Sequence, residues 1–292
     1  MLSYVFGFLA FMLVGYNPLI QFLQGLSSPR TPQIVRTPRP QLKEDLLALE
    51  DRNHSNICSQ DPQYSVHIFS REPLVIYVEN FLTLEERVHL LEISNPIFKP
   101  STVTDDGGAS THRDAAVRDS EVAVIPRTDM VRCIEDRARA LQGWRDEVWV
   151  ERLRVQRYGP SGHYDHHFDW SSSYGGWGRV SSFMVWVDDG EGQLRGGGTE
   201  FPLLKTREDS RWCSFVECGE QRVNSDATAS EDAEAGKSSG VVFKPVPGNA
   251  VYWENFRADR SGRGYEETWH AGLPVISGTK VGLNIWSWGR ID

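Results

Sequence analysis

At 292 residues the chain is long enough for one large domain or two small ones, and 39% hydrophobic against 24% charged residues is a globular composition that excludes a wholly disordered protein. A net charge of -9 argues against a nucleic-acid binder, whose footprint is usually basic. Ten tryptophans suit a β-rich protein with aromatic core or groove walls.

The chain opens on a mostly apolar, uncharged stretch over residues 2–26, long enough to span a bilayer, for which ~20 apolar residues suffice. It predicts a signal anchor over residues 1–26, with a cleaved signal peptide ending near Gly25-Leu26-Ser27 as the rival. Arg30, Arg36, Arg39 and Lys43 follow it, and the positive-inside rule alone would leave the domain in the cytosol. Pro29, Pro32, Pro38 and Pro40 mark residues 27–63 as an extended linker, with a short helix at residues 42–49. Asn53-His54-Ser55 is a glycosylation sequon if the chain enters the secretory path.

A folded domain is expected over residues 64–292. Residues 74–78 have a strand pattern. Thr83 then reads as a helix N-cap, with Glu86 completing a capping box. Residues 127–142 predict a second helix, with Met130, Val131, Ile134, Ala138 and Leu141 near helical spacing. Strand patterns follow at residues 149–158, 180–187, 241–244, 250–253 and 280–288. Helices first and many strands later predict an α+β fold: a double-stranded β-helix (jelly-roll) core with flanking N-terminal helices.

Three loops stand out. Residues 105–113 could cover a site. Residues 171–178 carry Tyr174 and Trp177, candidates for a substrate groove. Residues 203–240 form a long polar stretch, and residues 225–240 read as a disordered insertion because they offer almost nothing apolar to bury. The four cysteines, Cys58, Cys133, Cys213 and Cys218, are compatible with disulfides or with ordinary thiols. Cys213 and Cys218 are close enough to bridge across a turn, and no second Cys/His pair nearby supports a zinc site.

The chemistry concentrates in Gly162-His163-Tyr164-Asp165-His166-His167-Phe168-Asp169. Two histidines and one carboxylate can hold one face of an iron(II) ion and leave the other open, the ligand set of non-haem iron oxygenases. Two His-x-Asp pairs compete for that role, His163/Asp165 and His167/Asp169. On one regular strand all four share a face and His166 points the other way, so periodicity excludes His166 and leaves the two pairs tied. His270 supplies the second histidine. Ser277-Gly278-Thr279 is a turn signal that would bring His270 and Lys280 to the same end of a hairpin. Lys280 lies in a mostly apolar strand and needs a partner if buried.

With these motifs the chain resembles the catalytic domain of prolyl 4-hydroxylases, 2-oxoglutarate- and iron(II)-dependent dioxygenases. The family pattern Tyr-x-x-His-x-Asp fits Tyr164, His167 and Asp169, and so selects the second pair. Tyr158 stands where the family has a co-substrate tyrosine. His270-Ala271-Gly272-Leu273-Pro274-Val275 matches the family's second metal segment, with Lys280 ten residues on and Trp286 six further. Gly197-Gly198-Thr199-Glu200-Phe201-Pro202 resembles the strand between the two metal segments. The likeness runs roughly over residues 74–288.

The resemblance implies that His167, Asp169 and His270 are the catalytic Fe(II) ligands. It implies that Lys280, with Tyr158 and Thr199, binds the distal carboxylate of 2-oxoglutarate, with Trp286 a further cofactor-site residue. Oxygen would be the other co-substrate, and L-ascorbate would rescue oxidised iron. The implied reaction is hydroxylation of a prolyl residue in an extended peptide or protein, releasing succinate and carbon dioxide. The implied location is the endoplasmic reticulum membrane, held through the N-terminal segment with the domain lumenal. No nucleic-acid partner is expected. The rival readings are a dioxygenase of the same fold acting on another side chain, a nucleic-acid demethylase, and a non-catalytic jelly-roll binding module. Lysyl enzymes typically place arginine where this chain has Lys280. A silent module would be expected to have lost a ligand, and none is missing from the sequence.

Overall fold

The computed structural model describes residues 37–49, 58, 62–104, 111–170, 173–218 and 240–291. The expected anchor, the sequon, most of the 27–63 linker and nearly all of the expected disordered insertion lie outside these residues. Among the described residues, no helix is long and apolar enough to cross a membrane.

Two antiparallel sheets build the domain. The larger has nine strands, in the spatial order Ser65–Arg71, Leu74–Glu79, Ala250–Glu254, Trp177–Asp188, Lys280–Arg290, Arg154–Tyr158, Glu121–Val124 and Lys99–Pro100, with Val148–Val150 also paired to Lys280–Arg290. The smaller has five: Val241–Phe243, Thr199–Phe201, His270–Gly272, His163–His167 and Arg118–Asp119. The order within each sheet is far from the order in sequence, as in the expected jelly roll.

Alternation along the long Lys280–Arg290 strand separates two environments. Val281, Leu283 and Ile285 join a core with Leu90, Val131, Ile134 and Ala138, which belong to the two helices. Lys280, Asn284 and Trp286 point the other way and line a cavity reached by both sheets. A second core of Phe69, Tyr77, Trp186, Phe201, Phe243 and Trp253 fills the space beside that cavity.

The helices, α1 (Leu84–Ser94) and α2 (Asp129–Leu141), carry the signals read from sequence. Thr83 accepts from the Glu86 backbone while Glu86 accepts from the Thr83 backbone, a complete capping box. Thr128 caps α2 through the Val131 N–H. Buried Arg137 ties the two helices together, donating to Glu86 at 2.7 Å and to the Phe81 carbonyl at 2.8 Å.

Two expectations about the N-terminal part are corrected. Residues 42–49 are no helix: they form a turn and then a bridge from Leu47 to Glu151. Their backbone bonds run to the Val148–Val150 strand and its continuation, Ala48 N–H to Val150 and Arg152 N–H to Leu46. Packing also begins before residue 64, since Leu47 and Ala48 are buried and Ala48 belongs to the helix-side core. All four cysteines are bridged. Cys213 pairs with Cys218 across the turn, and Cys58 pairs with Cys133 of α2.

Candidate active site

The His163–His167 strand departs from the regular alternation that left its two His-x-Asp pairs tied. Tyr164 stands opposite Gly272 and His167 opposite His270, so two residues on one strand face a single one, Ala271, on the other. This is a β-bulge, and it reverses the facing of everything beyond it. His167 therefore comes onto the face of Tyr164 and stacks on its ring, with centroids 3.8 Å apart. His163, expected on the same face as His167, instead points to the Ser161 and Ala116 carbonyls at 3.0 Å. Asp165 is exposed. His166 bonds to Glu200 at 2.8 Å and stacks on Trp269.

The bulge thus selects His167 and Asp169, and the paired strand adds His270. The ligand atoms of these three residues lie within 4.8 Å of one another. His167 Nε2 is 3.7 Å from Asp169 Oδ1, and His270 Nε2 is 3.9 Å from Asp169 Oδ2. Each imidazole turns its Nδ1 to a backbone carbonyl, His167 to Asp165 at 2.8 Å and His270 to Thr268 at 2.9 Å. Those bonds place the proton on Nδ1 and leave both Nε2 lone pairs for a metal.

The protonation states suit a cation. Burial, reinforced by the neighbouring His270, pushes His167 down to about 3, and burial lowers His270 as well. Burial works to raise Asp169, but His270, His167 and Arg179 hold its carboxyl below the usual range. Two neutral imidazoles and one carboxylate on one face fit iron(II).

Trp286 supports this set directly. Its Nε1 donates to Asp169 Oδ2 at 2.9 Å, and the Arg179 guanidinium lies 3.8 Å from its ring centroid. The resemblance suggested a cofactor contact for Trp286. In the structure it lines the cavity and its hydrogen bond goes to Asp169.

The cavity joins the triad to Lys280. Lys280 is 2% exposed and its Nζ donates to the Gly197 carbonyl at 2.6 Å. No carboxylate among the described residues pairs with it, and burial lowers its pKa from 10.5 to about 8. Gly197, at φ +72°, allows this approach, since a Cβ there would lie 3.2 Å from Lys280 Cδ. Tyr158 is the cross-strand partner of Lys280, its ring centroid 5.2 Å from Nζ. Burial raises the Tyr158 pKa, which keeps its hydroxyl protonated and donating, here to Gln156 at 2.6 Å. Thr199 Oγ1 and Gln156 Nε2 are buried on the same cavity without a hydrogen-bond partner. An unpaired ammonium beside two orphaned polar groups fits a bound carboxylate.

Gln156, Asn284 and Arg179 escaped the reading of the sequence. The signal for Gln156 was present: it lies two residues before Tyr158 and so shares its face. Tyr174 and Trp177, the groove candidates, do not line this cavity. Tyr174 is 83% exposed, while Trp177 is buried at the start of its strand and stacks on Trp288.

Residues 153–288 match the family model of the 2OG-Fe(II) oxygenase superfamily. Prolyl 4-hydroxylase 5 of Arabidopsis thaliana is 28% identical over 238 residues, covering 76% of this chain and 70% of that protein. Prolyl 4-hydroxylase subunit alpha-3 of Mus musculus is 28% identical over 224 residues, covering 73% of this chain and 33% of that subunit. Among solved structures, the viral collagen prolyl hydroxylase of Paramecium bursaria Chlorella virus-1 aligns with a TM-score of 0.48 at 21% identity, covering 80% of this chain and 99% of that one. Over residues 153–288 the chain is similar to the 2OG-Fe(II) oxygenase superfamily, and the curated proteins it resembles over about three quarters of its length are prolyl 4-hydroxylases.

Proposed function

We propose that this domain hydroxylates prolyl residues of an extended peptide or protein, converting peptidyl proline, 2-oxoglutarate and oxygen to hydroxyproline, succinate and carbon dioxide. The observation that carries the reading is one cavity with a buried His167/Asp169/His270 triad and a buried, unpaired Lys280 ammonium.

His167, Asp169 and His270 hold Fe(II), which supplies the oxygen activation. Trp286 fixes the Asp169 carboxylate so that it meets the metal in one orientation. Lys280 takes the distal carboxylate of 2-oxoglutarate, helped by the Tyr158 hydroxyl and by Thr199 Oγ1, with Gln156 Nε2 as a further donor. The apolar walls, Met184, Trp253 and Trp286, keep bulk water from the reacting groups. L-Ascorbate would be the reductant that keeps the iron ferrous.

Two disulfides support folding in an oxidising compartment, which favours the lumen of the endoplasmic reticulum with residues 1–26 as the membrane anchor. The presence of all three ligands in one cluster weighs against a silent binding module.

The test is a panel of synthetic peptides with Fe(II), 2-oxoglutarate and ascorbate. The expected result is one succinate for each proline that gains 16 Da. Oxidation of another side chain, or succinate formed without peptide oxidation across the panel, would overturn the proline assignment.

A further inference from the structure

Beyond Trp286 the Lys280–Arg290 strand presents Trp288 on the same face, two residues or about 7 Å further on. Trp288 is paired across strands with Trp149, their ring centroids 6.2 Å apart. On its other side it stacks on Trp177, centroids 5.4 Å apart and planes 18° from parallel. The three rings make an aromatic ladder that starts one pleat away from the tryptophan holding Asp169. Trp149 and Trp288 are each half-buried with residues 37–43 in place.

The chain's own residues 37–43 lie over this ladder. Trp177 Nε1 donates to the Thr37 carbonyl at 3.1 Å, and the Thr37 N–H donates to Gly175 at 2.9 Å. The contact is close, for a Cβ on Gly175 would come within 2.7 Å of Thr37 Oγ1. The Arg39 guanidinium sits 6.0 Å from the Trp149 ring centroid. Pro40, Gln41 and Lys43 then line a cavity whose other wall is Glu151, Arg154, Arg179 and Trp288. Arg179 is the residue that stacks on Trp286 and reaches to 4.0 Å from Asp169.

The chemistry of this segment is that of a polyproline II ligand. Pro38 and Pro40 have φ fixed near -65°, and the residues before them, Thr37 and Arg39, are biased to extended backbone. Aromatic-lined surfaces bind such segments because little entropy is lost on docking. The segment is held at Thr37 by hydrogen bonds to Gly175 and Trp177, and at its other end by burial. Residues 37–41 are all exposed, whereas Leu47 and Ala48 are buried in the domain. A segment tethered so near its docking surface competes at a high effective concentration, yet can leave without disturbing the core.

We propose that residues 37–43 are an intramolecular strap that occupies a polyproline-binding surface formed by Trp149, Trp288 and Trp177, and that an incoming proline-rich peptide must displace it. The inference rests on the peptidyl-proline reading for the identity of the competitor. Its test therefore measures binding apart from turnover.

The full-length protein is compared with its Thr37→Gly, Pro38→Gly, Pro40→Gly triple variant. All three residues are exposed and outside the metal and co-substrate site. The probes are a fluorescein-labelled proline decamer and a labelled peptide of residues 35–45, followed by anisotropy without iron or 2-oxoglutarate. A strap docked nine-tenths of the time weakens apparent affinity about ten-fold. The variant should bind both probes about ten-fold more tightly, and where a peptide is hydroxylated its KM should fall by the same factor with kcat unchanged. Equal or weaker binding by the variant, or no binding by either protein, overturns the strap. Tighter binding with no hydroxyproline on any peptide keeps the strap and overturns the proposed reaction instead.

Discussion

Replacing Lys280 with Met separates what this residue does for binding from what it does to stability, because the two effects have opposite signs. In the empty protein Lys280 is a buried ammonium with no carboxylate partner among the described residues, and its pKa falls from 10.5 to about 8. That depression measures a cost of keeping the charge in the folded state. Its loss is partly offset because Met cannot replace the bond to Gly197. With about 1.4 kcal/mol per pKa unit and about 1 kcal/mol for the lost bond, Lys280→Met should stabilise the empty protein by roughly 2 kcal/mol. The bound state runs the other way. Removing one partner of a buried ion pair typically costs about 3–5 kcal/mol, so 2-oxoglutarate affinity should fall about a hundred- to a few-thousand-fold. The pH dependence follows from the same group. Between about 8 and 10.5 the unfolded lysine is protonated and the folded one is not, so the stability of the empty parent rises with pH across that window. The Met variant lacks this rise. Calorimetric titration of 2-oxoglutarate, together with denaturant unfolding at pH 7 and pH 10, reads all three effects. A variant that binds 2-oxoglutarate within ten-fold of the parent, or that is less stable when empty at pH 7, would refute the reasoning.

Four further outcomes are expected. Because Lys280 must be protonated to pair, the KM for 2-oxoglutarate should rise as pH passes about 8 in the parent and stay flat in Lys280→Met, measured by succinate release. Trp286→Phe keeps an aromatic ring, smaller than the indole, and removes the bond to Asp169, so iron affinity by competition with a chelator should drop about 10–100-fold while the fold by circular dichroism is unchanged. His167→Ala should abolish succinate formation, whereas His163→Ala, whose imidazole faces two backbone carbonyls, should keep most of it; the reverse pattern would put the metal on the other pair. Paired Cys58→Ser and Cys133→Ser changes open a link spanning 75 residues and should cost about 2–4 kcal/mol in chemical denaturation.

Local signals in the sequence located much of the fold and many of the residues that line the cavity. Thr83 and Glu86 cap α1 as their spacing indicates, and the strand patterns at residues 74–78, 180–187, 241–244, 250–253 and 280–288 form strands, while that at 149–158 splits into Val148–Val150 and Arg154–Tyr158. Tyr158 and Lys280, expected together from resemblance, face each other across adjacent strands. What could not be read was long-range geometry. A single extra residue between Tyr164 and His167 decides which His-x-Asp pair meets His270, and a strict period of two has no place for it. Cys58 and Cys133 are brought together only by the packing of residues before the first strand against α2. Residues 27–63 read as a linker with a short helix at residues 42–49, yet Leu46 and Ala48 dock through backbone bonds to the neighbouring strand and Leu47 and Ala48 are buried. Trp177 looked like a loop residue because glycines precede it, but it begins the long Trp177–Asp188 strand.

The most direct test of the central claim is a turnover of the iron-loaded protein under ¹⁸O₂ with a proline-rich peptide and 2-oxoglutarate, read by mass spectrometry. With His167, Asp169 and His270 holding the iron and Lys280 holding the co-substrate beside it, one labelled atom should appear in the hydroxyproline and one in succinate, in equal amounts. Unlabelled hydroxyproline, or succinate formed at the parent rate by the Asp169→Ala variant, would contradict the account.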